Sequence, residues 1–367
     1  MITTTGIGAH RNRVDEEFTM PAGIIGCHAL SNYKDKYVLA TTRDSASTAN
    51  TLTRFDVDDF SNKVTITLPV QLTGTNRVHD QVVFGDKLYI SYTSSTANNT
   101  PVLMGIIDIP TMTYLENFNT FNPNSFGPGS GSLATDGVQY IYYASAGSKA
   151  EIYKFDALNN MAHVATWVSS PALYGRNHCL RYENGMLYSA TNQASPITGG
   201  NPAFNYVVKV DASTMTEVNR ATFSAQSADR FAPTDDWCIV NNKIYLAMDT
   251  NIGASMTPVC NIAILDATTL AIIDTISEPT VNGGLGYMYG TWYDGKYIYG
   301  GAATDPAVLL KIDPSDDSYE VINMGASNIA ANEMCFSVNN GAMYLTYWMN
   351  TGSPATIPYN IARYYNI

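Results

Sequence analysis

A tyrosine placed just after a short turn returns seven times along the chain, at Tyr37, Tyr89, Tyr140, Tyr188, Tyr245, Tyr297 and Tyr344, with intervals of 52, 51, 48, 57, 52 and 47 residues. A second marker keeps the same rhythm. An aspartate closes an apolar run at Asp56, Asp108, Asp156, Asp211, Asp266 and Asp313, with Tyr365 in the seventh place. Within the repeats it follows the tyrosine by 19, 19, 16, 23, 21, 16 and 21 residues. Two markers in one order over the whole length restrict the chain to an array of equivalent units, and a period of this size predicts a β-propeller.

Each unit reads as four antiparallel strands. In the second, Gln81 to Phe84 is a short strand, Gly85-Asp86 a tight turn, and Lys87 to Tyr92 alternates as a half-buried strand does. Equivalent turns are Asp136-Gly137, Asn184-Gly185, Asn241-Asn242, Asp294-Gly295 and Asn340-Gly341, pairs that accept the positive φ of a two-residue hairpin. A third strand such as Met104 to Ile109 then ends at the marker aspartate, whose carboxylate accepts backbone N–H groups within the next turn. These aspartates are therefore read as structural. Glu217 to Phe223 exemplifies the fourth strand.

The expected fold is all-β, a seven-bladed propeller of four-stranded antiparallel blades. The seventh repeat reaches Ile367 after its third strand, and Glu16-Glu17-Phe18-Thr19-Met20-Pro21 resembles the fourth strand Val64-Thr65-Ile66-Thr67-Leu68-Pro69. Residues 14–21 are accordingly expected to complete the last blade and remove its open edge, with residues 1–13 as an N-terminal arm and 14–367 as the propeller.

Composition narrows the function. A net charge of −12 without any run of Lys or Arg argues against phosphate-directed nucleic-acid binding, and no apolar stretch is long enough to span a membrane. Charged residues make up 14% of the chain against about 25% in an average soluble protein, which leaves a neutral polar coat of Asn, Thr, Ser, Gly and Tyr. Residues 1–6 carry no secretory pattern, so synthesis in a cytoplasm is expected. The five cysteines form no close pair and are read as small buried hydrophobes.

Short turns and long loops alternate, which sorts them onto opposite faces of the disc. The long-loop face holds Thr41 to Thr51, Thr93 to Pro101, Thr191 to Asn205, Met248 to Cys260 and Tyr347 to Asn360, and is the expected binding face. Phe204, Tyr206, Trp348 and Tyr359 are its candidate aromatic anchors. Aligned on the tyrosines, His28, His79, Asp80, His178, Asp235, Asp236 and Glu333 fall together near the start of the first strands and are expected to ring the mouth of the central channel. Imidazole and carboxylate there suit a divalent metal or acid–base chemistry; a hydrated polar funnel accounts for the same residues. His163 is expected on an outer strand and His10 in the arm. Asp56-Val57-Asp58-Asp59 and Asp313-Pro314-Ser315-Asp316-Asp317 lack the glycine and closing glutamate of a calcium loop.

Gly85-Asp86-Lys87-Leu88-Tyr89 with Ile106-Ile107-Asp108-Ile109-Pro110, and Asp294-Gly295-Lys296-Tyr297 with Leu310-Lys311-Ile312-Asp313, resemble the repeats of YVTN, PQQ-like and Kelch propellers. The tryptophan docking motif of PQQ-like repeats and the regular glycine doublets of Kelch are missing, so no catalytic residues carry over. The composition also resembles structural proteins of tailed-phage particles. The leading expectation is a non-enzymatic binding or scaffold propeller in a larger assembly, such as a virion tail, fibre or capsid surface. Its partner would be a protein or a glycan, with no cofactor. The alternatives are a lyase- or lactonase-type enzyme with a divalent metal at the channel mouth, and an intracellular protein-interaction adaptor.

Overall fold

The computed structural model describes residues 16–19, 27–42, 50–58, 60–69, 77–93, 104–118, 131–145, 150–170, 176–192, 204–224, 233–248, 261–278, 288–302, 308–323, 329–337, 342–349 and 360–365. Their strands form seven four-stranded antiparallel sheets, and the described residues contain no helix. Blade one is β2 (Cys27–Tyr33), β3 (Tyr37–Thr42), β4 (Thr51–Asp56) and β5 (Val64–Thr67). Blade two is β6 (Arg77–Phe84), β7 (Lys87–Thr93), β8 (Met104–Asp108) and β9 (Thr113–Phe118). Blade three is β10 (Ser132–Thr135), β11 (Tyr140–Ser145), β12 (Glu151–Asp156) and β13 (Ala162–Val168). Blade four is β14 (Arg176–Glu183), β15 (Met186–Asn192), β16 (Phe204–Asp211) and β17 (Thr216–Ser224). Blade five is β18 (Pro233–Val240), β19 (Lys243–Met248), β20 (Ile262–Asp266) and β21 (Ile272–Ile276). Blade six is β22 (Met288–Tyr293), β23 (Ile298–Ala302), β24 (Val308–Ile312) and β25 (Tyr319–Asn323). Blade seven combines β26 (Ile329–Ser337), β27 (Ala342–Met349) and β28 (Asn360–Tyr365) with β1 (Glu16–Thr19).

First strands touch in a closed cycle, β2 to β6, β10, β14, β18, β22, β26 and back to β2, so they form the inner wall of a ring. β1 pairs antiparallel with β28, Glu16 opposite Arg363 and Thr19 opposite Asn360, which places an N-terminal strand at the outer edge of the last sheet.

The core lies between blades. Among the described residues the apolar side chains gather into clusters that each span two neighbouring sheets: Leu39, Leu52, Leu88 and Ile107 join blades one and two, while Val38, Phe55, Tyr344 and Ile361 join seven and one. Middle strands are consequently covered on both faces. Leu88 to Tyr92 is buried throughout, where the alternating sequence pattern had implied a half-buried strand. Ser91 tolerates this because it bonds to the neighbouring blade. The fourth strands carry the solvent face.

The register corrects the tyrosine alignment. Lys87 faces Asp108 and Met186 faces Asp211, and it is Tyr37 and Tyr140 that hold this position opposite Asp56 and Asp156. The position two residues on is Leu39, Tyr89, Tyr142, Tyr188, Tyr245, Tyr299 and Tyr344, buried in every case. Tyr37, Tyr140 and Tyr297 thus sit one pleat nearer the turn. Their rings lie under cations instead, Arg54 at 4.4 Å, Lys154 at 3.9 Å and Lys311 at 4.4 Å from the respective ring centres.

Turn chemistry follows the sequence in most blades. Asp108, Asp156, Asp211, Asp266 and Asp313 each accept a backbone N–H two or three residues on, at 2.6 to 3.1 Å. Asp56 departs from this pattern and takes the side chains of Ser61 and Asn62. Gly85, Gly137, Gly185 and Gly295 carry the positive φ the first turns require.

Candidate functional site

The corrected register divides the expected ring into two adjacent rows. Asp80, Asp236 and Glu333 each stand two residues before the inner-strand position that faces Tyr89, Tyr245 and Tyr344. His28, His79, His178 and Asp235 stand one residue earlier. A β-bulge falls there in β2, β6 and β14, leaving each histidine unopposed between paired neighbours. β18 is irregular over the same stretch, between Pro233 and Trp237. The bulge belongs to the repeat itself, because β22 has it at Tyr289 as well. His28, His178, Asp235 and Glu333 are placed by backbone alone, and their side chains lie outside the described residues.

The described carboxylates of the ring are engaged with neighbouring blades. Asp80 Oδ2 accepts from Ser132 Oγ at 2.7 Å and from Leu133 N at 2.8 Å, both in blade three, and Oδ1 accepts from Gln81 N at 2.7 Å. Ser132 Oγ in turn accepts from Leu180 N of blade four at 2.9 Å. Asp236 of blade five forms an ion pair with Arg181 of blade four and accepts from Trp237 N at 2.7 Å. Arg181 Nε donates to Trp237 O at 2.9 Å. Towards blade six, Cys238 N donates to Thr291 Oγ1, which donates to Tyr245 O at 2.5 Å. Towards blade one, Gln81 Nε2 donates to Leu39 O and Ser31 Oγ and Gln81 Oε1 accepts from Thr41 Oγ1. The outcome is a polar girdle from blade one to blade six in which side chains replace the main-chain bonds that adjacent sheets cannot make with each other.

Electrostatics match that use. Burial pushes the Asp80 carboxyl above the ordinary carboxylate range, opposed by the Arg181 charge and the bonds from Leu133 and Ser132. Burial also lifts the Cys238 thiol to about 12, so this cysteine stays protonated at neutral pH. Among the described residues no group of three or more His, Cys, Asp or Glu side chains is placed to hold a metal ion.

The aromatic candidates divide similarly. Phe204 and Tyr206 lie within β16 rather than in the preceding loop, with Phe204 opposite Ser224 and Tyr206 opposite Thr222. Tyr206 is half-buried against the core between blades three and four, and the Arg220 guanidinium lies 5.9 Å from its ring centre. Trp348 belongs to β27, opposite Ala330, and its side chain, like that of Phe204, lies outside the described residues. Tyr359 and His10 lie wholly outside them. His163 is exposed on β13, an outer strand.

Sequence reasoning missed a second set of inter-blade contacts. Two residues before the marker stand Arg54, Lys154, Lys209, Lys311 and Arg363. Three of these cations cap a carbonyl of the next blade's turn: Arg54 Nη1 to Ile109 O at 2.7 Å, Lys154 Nζ to Ala212 O at 2.8 Å and Lys209 Nζ to Ala267 O at 2.9 Å. Tyr188 adds its hydroxyl to Ala267 O, and Tyr344 donates to Val57 O across the junction of blades seven and one. The spacing was visible in the sequence; its meaning needed the neighbouring blade.

No family model matches the chain, and no curated protein matches it in sequence. Solved structures do match in fold. A chain in the crystal structure of the mitotic checkpoint complex is 12% identical with a TM-score of 0.66, covering 100% of this chain and 97% of its own. The WD40 repeats of RRP9 are 10% identical with a TM-score of 0.64, over 95% and 97% of the two chains. The Pan2 WD40 domain of Neurospora crassa is 9% identical with a TM-score of 0.61, over 92% and 88%. At such identities the likeness extends to the propeller fold and transfers no residue roles.

Proposed function

We propose that this chain is a protein-interaction scaffold whose partners meet the long-loop face. The observation that carries the reading is the inner girdle: Asp80 and Asp236, the described carboxylates of the channel row, are engaged in joining blades. The structures similar in fold support it, since one of them is a chain in the crystal structure of the mitotic checkpoint complex and others are WD40 propellers. An intracellular adaptor is one form of such a scaffold. The virion setting and a glycan partner rest on composition alone.

Photo-crosslinking tests the proposal. With a photoreactive phenylalanine analogue at Tyr359, irradiation of the protein in its cell of origin is expected to give discrete protein adducts that disappear with Trp348→Ala. Adducts formed equally well from a probe at Val218, on outer strand β17, would contradict the choice of face.

A further inference from the structure

Two of the most exposed apolar side chains belong to one blade. Val138, in the β10–β11 turn, is 74% exposed, and Leu158, in the β12–β13 turn, is 69% exposed. Both turns are held firmly. Asp136 Oδ1 accepts the N–H groups of Val138, Gln139 and Tyr140 at 2.8 to 3.0 Å, and Asp156 Oδ1 accepts those of Leu158 and Asn159 at 3.0 and 3.1 Å. The turns are also tied to each other, by Ala157 N to Gln139 O at 2.9 Å and Gln139 Nε2 to Asp156 Oδ2 at 2.8 Å. Val138 and Leu158 therefore flank one bridged pair on the short-turn face. Blades one, two, four, five and six put Asp58, Pro110, Ser213, Thr268 and Ser315 where blade three has Leu158.

The charge around this pair decides what covers it. The short turns of blades three and four, residues 136–139, 156–161, 183–186 and 211–216, contain Asp136, Asp156, Glu183 and Asp211 and no lysine or arginine. Lys154, which feels the charges of Asp136 and Asp211, is buried with its Nζ on Ala212 O. Elsewhere on the same face acids have exposed or half-exposed cations beside them, as in Lys34–Asp86 and Lys243–Asp317. Blades three and four thus combine a rigid aliphatic pair with carboxylates that a cationic partner would complement.

We propose that the short-turn edge of blades three and four is a docking surface for a basic segment of a partner protein, with apolar residues over Val138 and Leu158 and Lys or Arg beside the carboxylates. This surface lies opposite the long-loop face, so a scaffold would hold two partners at once, and its test is independent of the crosslinks above.

The probe is a labelled peptide alternating leucine with lysine, followed by fluorescence anisotropy beside a counterpart with glutamate for lysine. The lysine peptide is expected to bind the full chain, and Val138→Ser with Leu158→Ser to weaken it about tenfold or more. Val218→Ser, an equally simple truncation of an exposed outer-strand residue, is expected to leave the affinity unchanged. The proposal is overturned if the lysine peptide does not bind, if the glutamate peptide binds as well, or if Val218→Ser weakens binding as much as the double substitution. It is also overturned if the double substitution turns a self-associated protein into a monomer, since the occupant would then be a second copy of this chain.

Discussion

Single hydroxyls and cations carry more of this fold than their number suggests, because each serves two sheets. Ser132 Oγ donates to Asp80 of blade two and accepts from Leu180 of blade four. Ser132→Ala takes the acceptor from Leu180 N and one of three donors from Asp80, and an unsatisfied buried group costs about 1–3 kcal/mol. The expected result is a lower melting temperature with unchanged secondary structure by circular dichroism. It should also move Asp80. That carboxyl already titrates above its ordinary value because of burial, and the Ser132 bond favours its ionised form, so removing the bond raises its pKa further by side-chain NMR. For a carboxyl raised in the folded state, the folded chain holds the extra proton: its contribution to stability is present below the unfolded pKa and lost as pH rises through the folded one. Lys154→Met tests the outer contacts in the same way. The apolar stem is kept and Ala212 O loses its donor, so thermal unfolding is expected at lower temperature.

At the scale of turns and strands the sign of the pH effect reverses. Asp211 is held down to about 2, first by the Ser213 hydroxyl and then by the N–H groups of Thr214 and Ser213, and Asp266, Asp313 and Asp108 are lowered by the same kind of turn. Their contribution is present above the unfolded carboxylate value and is lost as pH falls through the folded one. Ser213→Ala is therefore expected to raise the Asp211 pKa in an NMR titration and to lessen the acid dependence of the melting temperature. These turns were legible in the sequence because an Asx turn is local: the carboxylate and its partners lie within three residues. The hairpins and the third strands were legible for the same reason. Tyr37, Tyr140 and Tyr297 misled the alignment because a tyrosine one pleat nearer the turn keeps the same side-chain parity, so polarity alone cannot separate it from Tyr89 or Tyr245. Burial separates them, and burial depends on the adjacent blade. The inner bulges at His28, His79 and His178 were likewise invisible, since an extra residue in one strand is defined only against its partner. For the candidate ring the sequence gathered residues that do occupy two neighbouring registers. What it could not supply was the identity of the groups across the blade boundary, Ser132, Leu133 and Arg181, that engage Asp80 and Asp236.

For the whole molecule the central claim is that the blades form one closed ring, joined between first and last sheets by Tyr344 and the core around Phe55 and Ile361, and finished at its edge by an N-terminal strand. Closure by strands from opposite ends of the chain couples the terminal blades, and it hides a sheet edge that would otherwise pair with other molecules. Removing residues 1–21 is thus expected to lower the melting temperature and promote aggregation. The most direct measurement is amide hydrogen exchange over residues 360–365 in the full chain and in the chain lacking residues 1–21. With β1 opposite β28, this segment should be protected in the full chain and exchange markedly faster in the truncated one, while blade four, across the ring, keeps its protection. Equal protection of residues 360–365 in both proteins would contradict closure by the N-terminal strand.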